Sequence, residues 1–504
     1  MNTMKETIDE GRNASWREAL RAAMPAKERT AIPRAEMPML PADYRIHSNA
    51  EVNQGLSAEQ AVLEATRCLD CPNPTCMEGC PVSIHIPDFI KEIQRGRNDL
   101  AARVLRTTSA LPAVCGRVCP QEKQCESRCI YHKMGKAPVA IGYLERFAAD
   151  AELAERRMHA SEETASDARA EGATANAAPR KGIKVAVAGS GPAGLSFAGS
   201  MAQMGYDVEV FEALHEVGGV LKYGIPEFRL PNSIVDAELD ALRLAGVHFH
   251  TDTVIGKTLS YDDLRNAGFQ GIFVASGAGL PRFMGIPGEN YCGVLSSNEY
   301  LTRINLMGAG QPGSDTPAPL GRTVAVIGGG NTAMDSVRTA LRMGAEKAMI
   351  IYRRSEAEMP ARVEEIEHAK QEGVEFVTMA NPVEYLADER GRVRAVRVQR
   401  MKAGEPDASG RPRPVPIEGA IDEIAIDLAI VSVGVSPNPL IPDNFDGLDV
   451  SSRGTIMVND DMQSSIPMIF AGGDIVRGGA TVILAMGDGR HAAAAMDRYL
   501  SGNE

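Results

Sequence analysis

Eight of the nine cysteines stand in two blocks. CLDCPNPTCMEGCP runs from Cys68 to Pro81, and CGRVCPQEKQCESRC from Cys115 to Cys129. The first block is C-x2-C-x4-C-x3-C-P over Cys68, Cys71, Cys76 and Cys80. The second is C-x3-C-P-x4-C-x3-C over Cys115, Cys119, Cys125 and Cys129. Thiols grouped in this way can close disulfides, bind zinc, exchange disulfides or hold iron–sulfur clusters. Structural disulfides are rare in the cytosol, which is the compartment expected below. Four-cysteine zinc sites usually use two separated CxxC pairs, and only Cys68–Cys71 makes one here. Ferredoxin-type runs follow C-x2-C-x2-C-x3-C-P, with the last cysteine serving the other cluster. The first block departs from that run by two residues in its middle spacing. The Cys-Pro endings favour [4Fe–4S] clusters, with zinc and redox thiols as alternatives. Eight thiolates are enough for two sites of four. Cys292 stands alone and is expected to be a small core residue.

Two glycine loops could hold nucleotides. IKVAVAGSGPAGLSFAGSMAQMGYDVEVFEA reads as a strand, Gly189-x-Gly191-x-x-Gly194, a helix, and a strand ending at Glu212. The first glycine permits a tight turn, the second lets backbone approach a pyrophosphate, and the third allows close helix–strand packing. The helix N-terminus offers free N–H groups and a positive dipole end. Glu212 lies about twenty residues on, where a carboxylate accepts a ribose hydroxyl. TVAVIGGGNTAMDSVRTALRMGAEKAMIIYRR repeats the pattern with Gly328, Gly330, Asn331, Thr332 and Ala333, and its second strand ends in Arg353 and Arg354. A carboxylate there would repel a 2′-phosphate, whereas paired guanidiniums bind it through charge-assisted bonds. The second loop is therefore expected to take NADPH rather than NADH. The alternative for the arginines is a solvated strand end.

Particular elements must hold these residues in place. From Gly182 onward, short apolar runs (KVAVAG, TVAVIGGG, AMIIYRR, DLAIVSVG, MIFAGGD) alternate with helical stretches. Such runs belong to parallel strands covered on both faces. The cysteine region reads as mostly helical. Ser57 and Gln60 form a capping-box pattern ahead of Cys68, and a short helix is expected from Ile86. Residues 151–181, rich in Ala, Glu, Arg, Ser and Thr, read as a linker, partly helical or disordered.

GIFVASGA closes a strand in small residues near Gly277, and MIFAGGDIVRGGATVILAMGDG sets Asp474 just after a strand and Gly473, with a helix beginning near Thr481. This pattern resembles the flavoproteins with two dinucleotide-binding domains. In those proteins the Asp contacts the FAD ribitol and the helix N-terminus faces the flavin pyrimidine. The resemblance implies FAD at the first loop, with Gly219 among its contacts, and the NADPH unit inserted into the FAD domain. The expected fold is α/β: two Rossmann-like dinucleotide-binding domains preceded by an α-helical iron–sulfur domain. The boundaries follow as 1–150 for the helical domain, 151–181 for the linker, 182–292 with 434–504 for FAD, and 293–433 for NADPH.

Composition agrees with this layout. A chain of 504 residues is too long for one core and suggests about three domains. A net charge of −13 argues against nucleic acid, since no basic field offsets phosphates. No apolar run reaches about 18 residues and no signal peptide is evident. A cytoplasmic protein without membrane contact is expected.

The combination of CLDC, CPVSIHIP, CGRVCPQEKQCESRC, GSGPAG, KYGIPEFRLP, GGGNTAMD and YRR resembles the small (β) subunit of NADPH-dependent glutamate synthase. It is similar also to the large subunit of electron-bifurcating ferredoxin:NADP transhydrogenase and to the N-terminal half of dihydropyrimidine dehydrogenase. The resemblance implies two [4Fe–4S] clusters with ligands shared between the blocks. Cys68, Cys71, Cys76 and Cys129 would hold one; Cys80, Cys115, Cys119 and Cys125 the other. It places Lys222, Tyr223, Gly224 and Ile225 beside the flavin. There Lys222 would stabilise charge on the reduced ring or else form a surface ion pair. No acid–base catalyst is required.

The implied activity is oxidation of NADPH, with electrons leaving through FAD and the clusters to a partner. That partner would be a large subunit with FMN and a glutaminase, converting glutamine plus 2-oxoglutarate to glutamate, or another electron-accepting subunit, and the chain itself is expected to work within an oligomer. Residue 2 is Asn, not a glutaminase Cys, and no length remains for a barrel of about 250 residues. The enzymatic alternative is the bifurcating transhydrogenase subunit. The alternative of another class is a nicotinamide-sensing binding module.

Overall fold

The computed structural model describes residues 11–163, 179–407 and 410–502. The cysteine region is built from helices: α1 (Ala58–Arg67), α2 (Ile86–Gln94), α3 (Asn98–Arg106), α4 (Pro112–Val118) and α5 (Ile141–Glu163). The Ser57/Gln60 capping box closes at the start of α1, and α2 begins at Ile86 as its apolar spacing predicts. Helix α5 carries helical structure into the segment read as a linker. Residues 164–178 of that segment lie outside the described residues.

Beyond it stand two five-stranded parallel sheets. The first contains β1 (Lys184–Ala188), β2 (Asp207–Phe211), β3 (Val247–His250) and β4 (Phe269–Val274). The second contains β5 (Val294–Ser296), β6 (Thr323–Ile327), β7 (Lys347–Tyr352), β8 (Glu375–Thr378) and, after a three-stranded antiparallel sheet of β9 (Ala380–Ala387), β10 (Val393–Pro406) and β11 (Pro412–Ala425), the strand β12 (Leu428–Val431). The chain then returns to the first sheet through β13 (Ile469–Ala471). The strand orders are β13-β4-β1-β2-β3 and β5-β12-β6-β7-β8. The second unit is thus inserted between β4 and β13. In β1, β6 and β12 nearly every side chain is buried, because helices or other strands cover both faces.

Helix α6 (Pro192–Gln203) follows β1, helix α7 (Asn232–Leu244) precedes β3, and α6 packs along α10 (Val482–Leu500). There Ser196 Oγ donates to the Met486 carbonyl at 2.8 Å. The equivalent helix of the second unit is α8 (Asn331–Arg342), with α9 (Val363–Gln371) beside it. Among the described residues no helix is long and apolar enough to cross a membrane.

A buried ionic seam ties the three regions together. Arg229, from the loop PEFRLP, pairs with Asp335 of α8 at 2.7 Å. Arg338 pairs with Glu365 and, at 2.7 Å, with Glu372. Burial opposes the Arg229 charge, but Asp335 and Glu365 outweigh it and hold its pKa above the ordinary value. Arg362 donates to the Arg117 carbonyl at 2.7 Å and to Gln121 Oε1 at 3.1 Å. Lys123 reaches the Pro360 and Ala361 carbonyls. The inserted unit is therefore fastened to both the first sheet and the cysteine region.

Candidate functional site

Both glycine loops open on one cavity of about 1880 Å³. Pockets for single small molecules usually span about 300–1,000 Å³, so this one has room for two dinucleotides. The first loop contributes Gly189 and Gly191, and strand β2 ends in Glu212 on the same wall. Gly219, Gly277, Gly473, Asp474 and Thr481 line it as well. From the inserted unit come Gly328, Gly330, Asn331, Thr332, Arg353 and Arg354. Gly194 and Ala333 do not line the cavity. Gly194 faces the Gly189 carbonyl, where no side chain fits, and Ala333 is fully buried in the core of the inserted unit.

The walls suit dinucleotides. Gly189 has φ +105° and lies against the Ala275 carbonyl, a turn that only glycine makes without strain. A Cβ at Gly191 or Gly330 would meet no protein atom within 4 Å; both positions face open space ahead of a helix N-terminus. Glu212 accepts from Ser190 N at 2.9 Å and Leu214 N at 2.9 Å, so its carboxylate is fixed at the rim. Two buried polar atoms on the wall, Ser276 Oγ and Arg354 Nε, have no hydrogen-bond partner among the described residues. Asp474 accepts from Ala480 N at 3.1 Å, and burial pushes its pKa up to about 6. Burial, with Asp474 and Glu212 nearby, pushes Tyr223 up to about 12, so its hydroxyl stays neutral.

Lys222 is elsewhere. Its Nζ pairs with Asp236 at 2.7 Å and Glu216 at 2.8 Å. It does not line the cavity, although Tyr223, Gly224 and Ile225 do. Side chains point apart along a short helical turn, so neighbours in sequence face different ways. The ion pair is the alternative realised. Cys292 is exposed rather than a core residue.

The cysteines sort by which thiols feel one another. Cys71 and Cys76 couple to Cys68 and Cys129. Cys119 couples to Cys115 and Cys80, and Cys125 to Cys80. Cys125 also senses Cys76, so the two groups adjoin. Among the described residues no three His, Cys, Asp or Glu side chains converge closely enough to hold a single metal ion. Burial pushes Cys71 and Cys80 up to about 11. Reactive thiols have lowered values, whereas these two are raised. All nine cysteines are free of disulfides.

Cys68, Cys115, Cys119 and Cys125 are buried, whereas Cys71, Cys76, Cys80 and Cys129 are only partly covered. The second block adjoins the cavity: Val118 and Pro120, on either side of Cys119, line it. Cys115 Sγ lies 3.5 Å from Met486 Sδ of α10, the helix whose N-terminal residues Thr481 and Val482 line the same cavity.

Several residues around the thiols carry no signal in the sequence. Asp70, between Cys68 and Cys71, is fully buried and sits at φ +55°. Arg17 and Arg21, about fifty residues earlier, pair with it, Arg21 at 2.5 Å. Lys91 Nζ donates to the Cys68 carbonyl at 2.7 Å, and Tyr131 Oη to the Arg67 carbonyl at 2.7 Å. Glu145 of α5 is buried with Oε1 unpartnered. Burial first, and Glu238 second, push its pKa up to about 8.

The Glu145 shift has a testable consequence. The folded protein keeps a proton that the unfolded chain releases near about pH 4.3. Its contribution to stability is therefore full at acid pH and disappears as pH rises through the folded value. Glu145→Gln cannot ionise. Between about pH 5 and pH 8 it is expected to lose less stability than the parent chain, as read from anaerobic urea midpoints at each pH. Equal losses would show that Glu145 is ionised in the fold.

Comparison with known proteins adds the decisive observation. Residues 45–157 match the family described as dihydropyrimidine dehydrogenase domain II, 4Fe-4S cluster, and residues 183–491 match pyridine nucleotide-disulphide oxidoreductase. The small chain of glutamate synthase [NADPH] from Azospirillum brasilense is 36% identical over 470 residues, covering 91% of this chain and 93% of that one. The chain belongs to the glutamate synthase [NADPH] small-chain family. As a small-chain family member it is an NADPH-dependent FAD and iron–sulfur oxidoreductase. The beta subunit of NADP(+)-dependent formate dehydrogenase from Moorella thermoacetica is 38% identical, covering 84% of this chain and 60% of that one. FprA from Mycobacterium tuberculosis shares the fold, with a TM-score of 0.54 at 19% identity over 64% of this chain and 85% of that one.

Proposed function

We propose that this small-chain family member draws electrons from NADPH and delivers them, by way of FAD and two [4Fe–4S] clusters, to a partner subunit. The observation that carries the reading is the junction at Cys119, where Val118 and Pro120 line the dinucleotide cavity while the thiols beside them are buried. Bound FAD supplies the exchange between a two-electron donor and one-electron carriers. The protein's own work is to bind, orient and shield.

The first loop and the N-terminus of α6 hold the FAD pyrophosphate with backbone N–H groups and the helix dipole. Glu212 takes a ribose hydroxyl. Arg353 and Arg354 hold the 2′-phosphate of NADPH, which NADH lacks. Neutral Tyr223 covers the cavity beside Asp474 without adding charge. Cys80, Cys115, Cys119 and Cys125 form the inner cluster site, next to the cavity. Cys68, Cys71, Cys76 and Cys129 form the outer one, nearer the surface. Asp70 and Lys91 hold the outer loop in place. The working units are residues 1–150, 182–292 with 434–504, and 293–433.

The partner we propose is a glutamate synthase large subunit with FMN and a glutaminase, so that the assembly makes glutamate from glutamine and 2-oxoglutarate. The 93% coverage of the Azospirillum small chain supports this choice. A second reading, a partner that exchanges electrons with the formate/CO2 couple or another redox couple, is favoured by the 38% identity to the formate dehydrogenase beta subunit. Anaerobic isolation of the native complex with cofactor analysis separates them. An FMN-containing partner with glutaminase activity supports the first; a partner with neither overturns it.

A further inference from the structure

The hairpin β10–β11 is far longer than its packing requires. Each strand has 14 residues. Beyond Met401 on one strand and before Ala420 on the other, side chains are exposed or half-buried and build no core. At the tip, Pro406 pairs with Pro412, and the turn places Arg411 on the wall of the dinucleotide cavity, together with Tyr352, Arg353 and Arg354.

The turn is organised by Asp407. Its N–H donates to the Arg411 carbonyl at 2.8 Å, and its carboxylate accepts from Arg411 N at 3.3 Å. The same carboxylate accepts from Arg354 Nη2 at 2.6 Å. Asp407 thus holds Arg354 with one side and the turn that delivers Arg411 with the other. Arg354 is 93% buried, since its exposure is 7%, yet its Nε has no partner among the described residues. Arg353, Arg354 and Arg411 line one stretch of the cavity wall around Tyr352.

We propose that Arg411, carried on the hairpin tip, is a third guanidinium of the 2′-phosphate site and sets the preference for NADPH over NADH. This rests on the NADPH reading above. The exposed strands are explained by it: their role is to carry a charge across the cavity mouth to a phosphate that β7 alone, with Arg353 and Arg354, meets from one side only.

The test is calorimetric titration of the FAD-loaded protein with NADP+ and with NAD+. R411A is expected to weaken NADP+ binding roughly tenfold or more, the loss of one hydrogen-bonded ion contact. NAD+ affinity is expected to change by less than about twofold, because that ligand has no phosphate for Arg411 to hold. R411K, which keeps the charge but not the fork, falls between R411A and the parent protein. Unchanged NAD+ affinity also shows that the variant is folded. If R411A leaves NADP+ affinity unchanged, or weakens both ligands alike, Arg411 is not part of the phosphate site. If the parent protein binds NAD+ as tightly as NADP+, the NADPH reading itself fails and this proposal fails with it.

Discussion

A Gly191→Val chain is expected to fold and to carry no FAD. Gly191 has φ −69° and ψ 179°, a conformation open to any residue. A Cβ there meets no protein atom within 4 Å. Neither backbone strain nor packing therefore requires glycine, and a valine side chain would fill the space proposed for the pyrophosphate. FAD content should fall from about one per chain to below about a tenth, as expected where backbone must approach a phosphate closely. Bound FAD stabilises the folded state by mass action, so the proper reference is FAD-stripped parent protein, and the two should melt together. Retention of FAD would remove the first loop from the cofactor site. Gly330→Val, where the Cβ also meets nothing, should keep FAD and lose NADPH. Gly189→Val is different in kind: its φ of +105° and the Ala275 carbonyl against it should prevent the loop from forming.

A Cys119→Ala chain should keep its flavin and lose its electron outlet. Cys119 is 5% exposed and couples to Cys115 and Cys80. With the ligand set proposed above, removing one of four thiolates would leave one iron of a cubane without its ligand. Iron should fall from about eight to about four per chain. NADPH should still bleach the flavin, while transfer to a one-electron acceptor that docks at the outer cluster drops at least about a hundredfold, because the cluster that carries the electrons is gone. Cys71→Ala should halve iron in the same way but spare the inner cluster, leaving its signal to appear after NADPH. Cys292→Ser, at an exposed position away from both groups, should change neither iron nor turnover. Zinc in place of iron, or unaltered transfer in Cys119→Ala, would sink the proposed path.

The parts of this fold that could be read in the sequence are local. The Ser57–Gln60 box lies within four residues and closes as its spacing implies. KVAVA and TVAVI are continuous apolar runs and become central strands with both faces covered. The glycine loops, Glu212 and Asp474 reach one cavity because each sits at a strand end of a parallel sheet, where ligands bind. What could not be read is set by contacts between distant segments. Arg17 and Arg21 meet Asp70 across about fifty residues. Arg411 reaches the arginines of β7 only because a hairpin returns there. Lys222 turns to Asp236 and Glu216 though its neighbour Tyr223 faces the cavity, since one residue along a helical turn changes the face. Cys292 is exposed because the irregular segment that holds it makes only backbone bonds, to Gly391 and Val393. Glu145 could not be recognised as a neutral carboxyl, because its burial depends on α5 packing against α3 and α4.

The proposed path takes NADPH electrons from the cavity to the buried thiols. Mixing the anaerobic, FAD- and iron-loaded protein with NADPH, following flavin absorbance by stopped flow and freezing samples for electron paramagnetic resonance, tests that transfer. Flavin bleaching is expected first, and signals of reduced [4Fe–4S] clusters should follow within the same turnover, in a protein with about eight irons. Clusters that stay oxidised while the flavin is fully reduced and a partner turns over would contradict it.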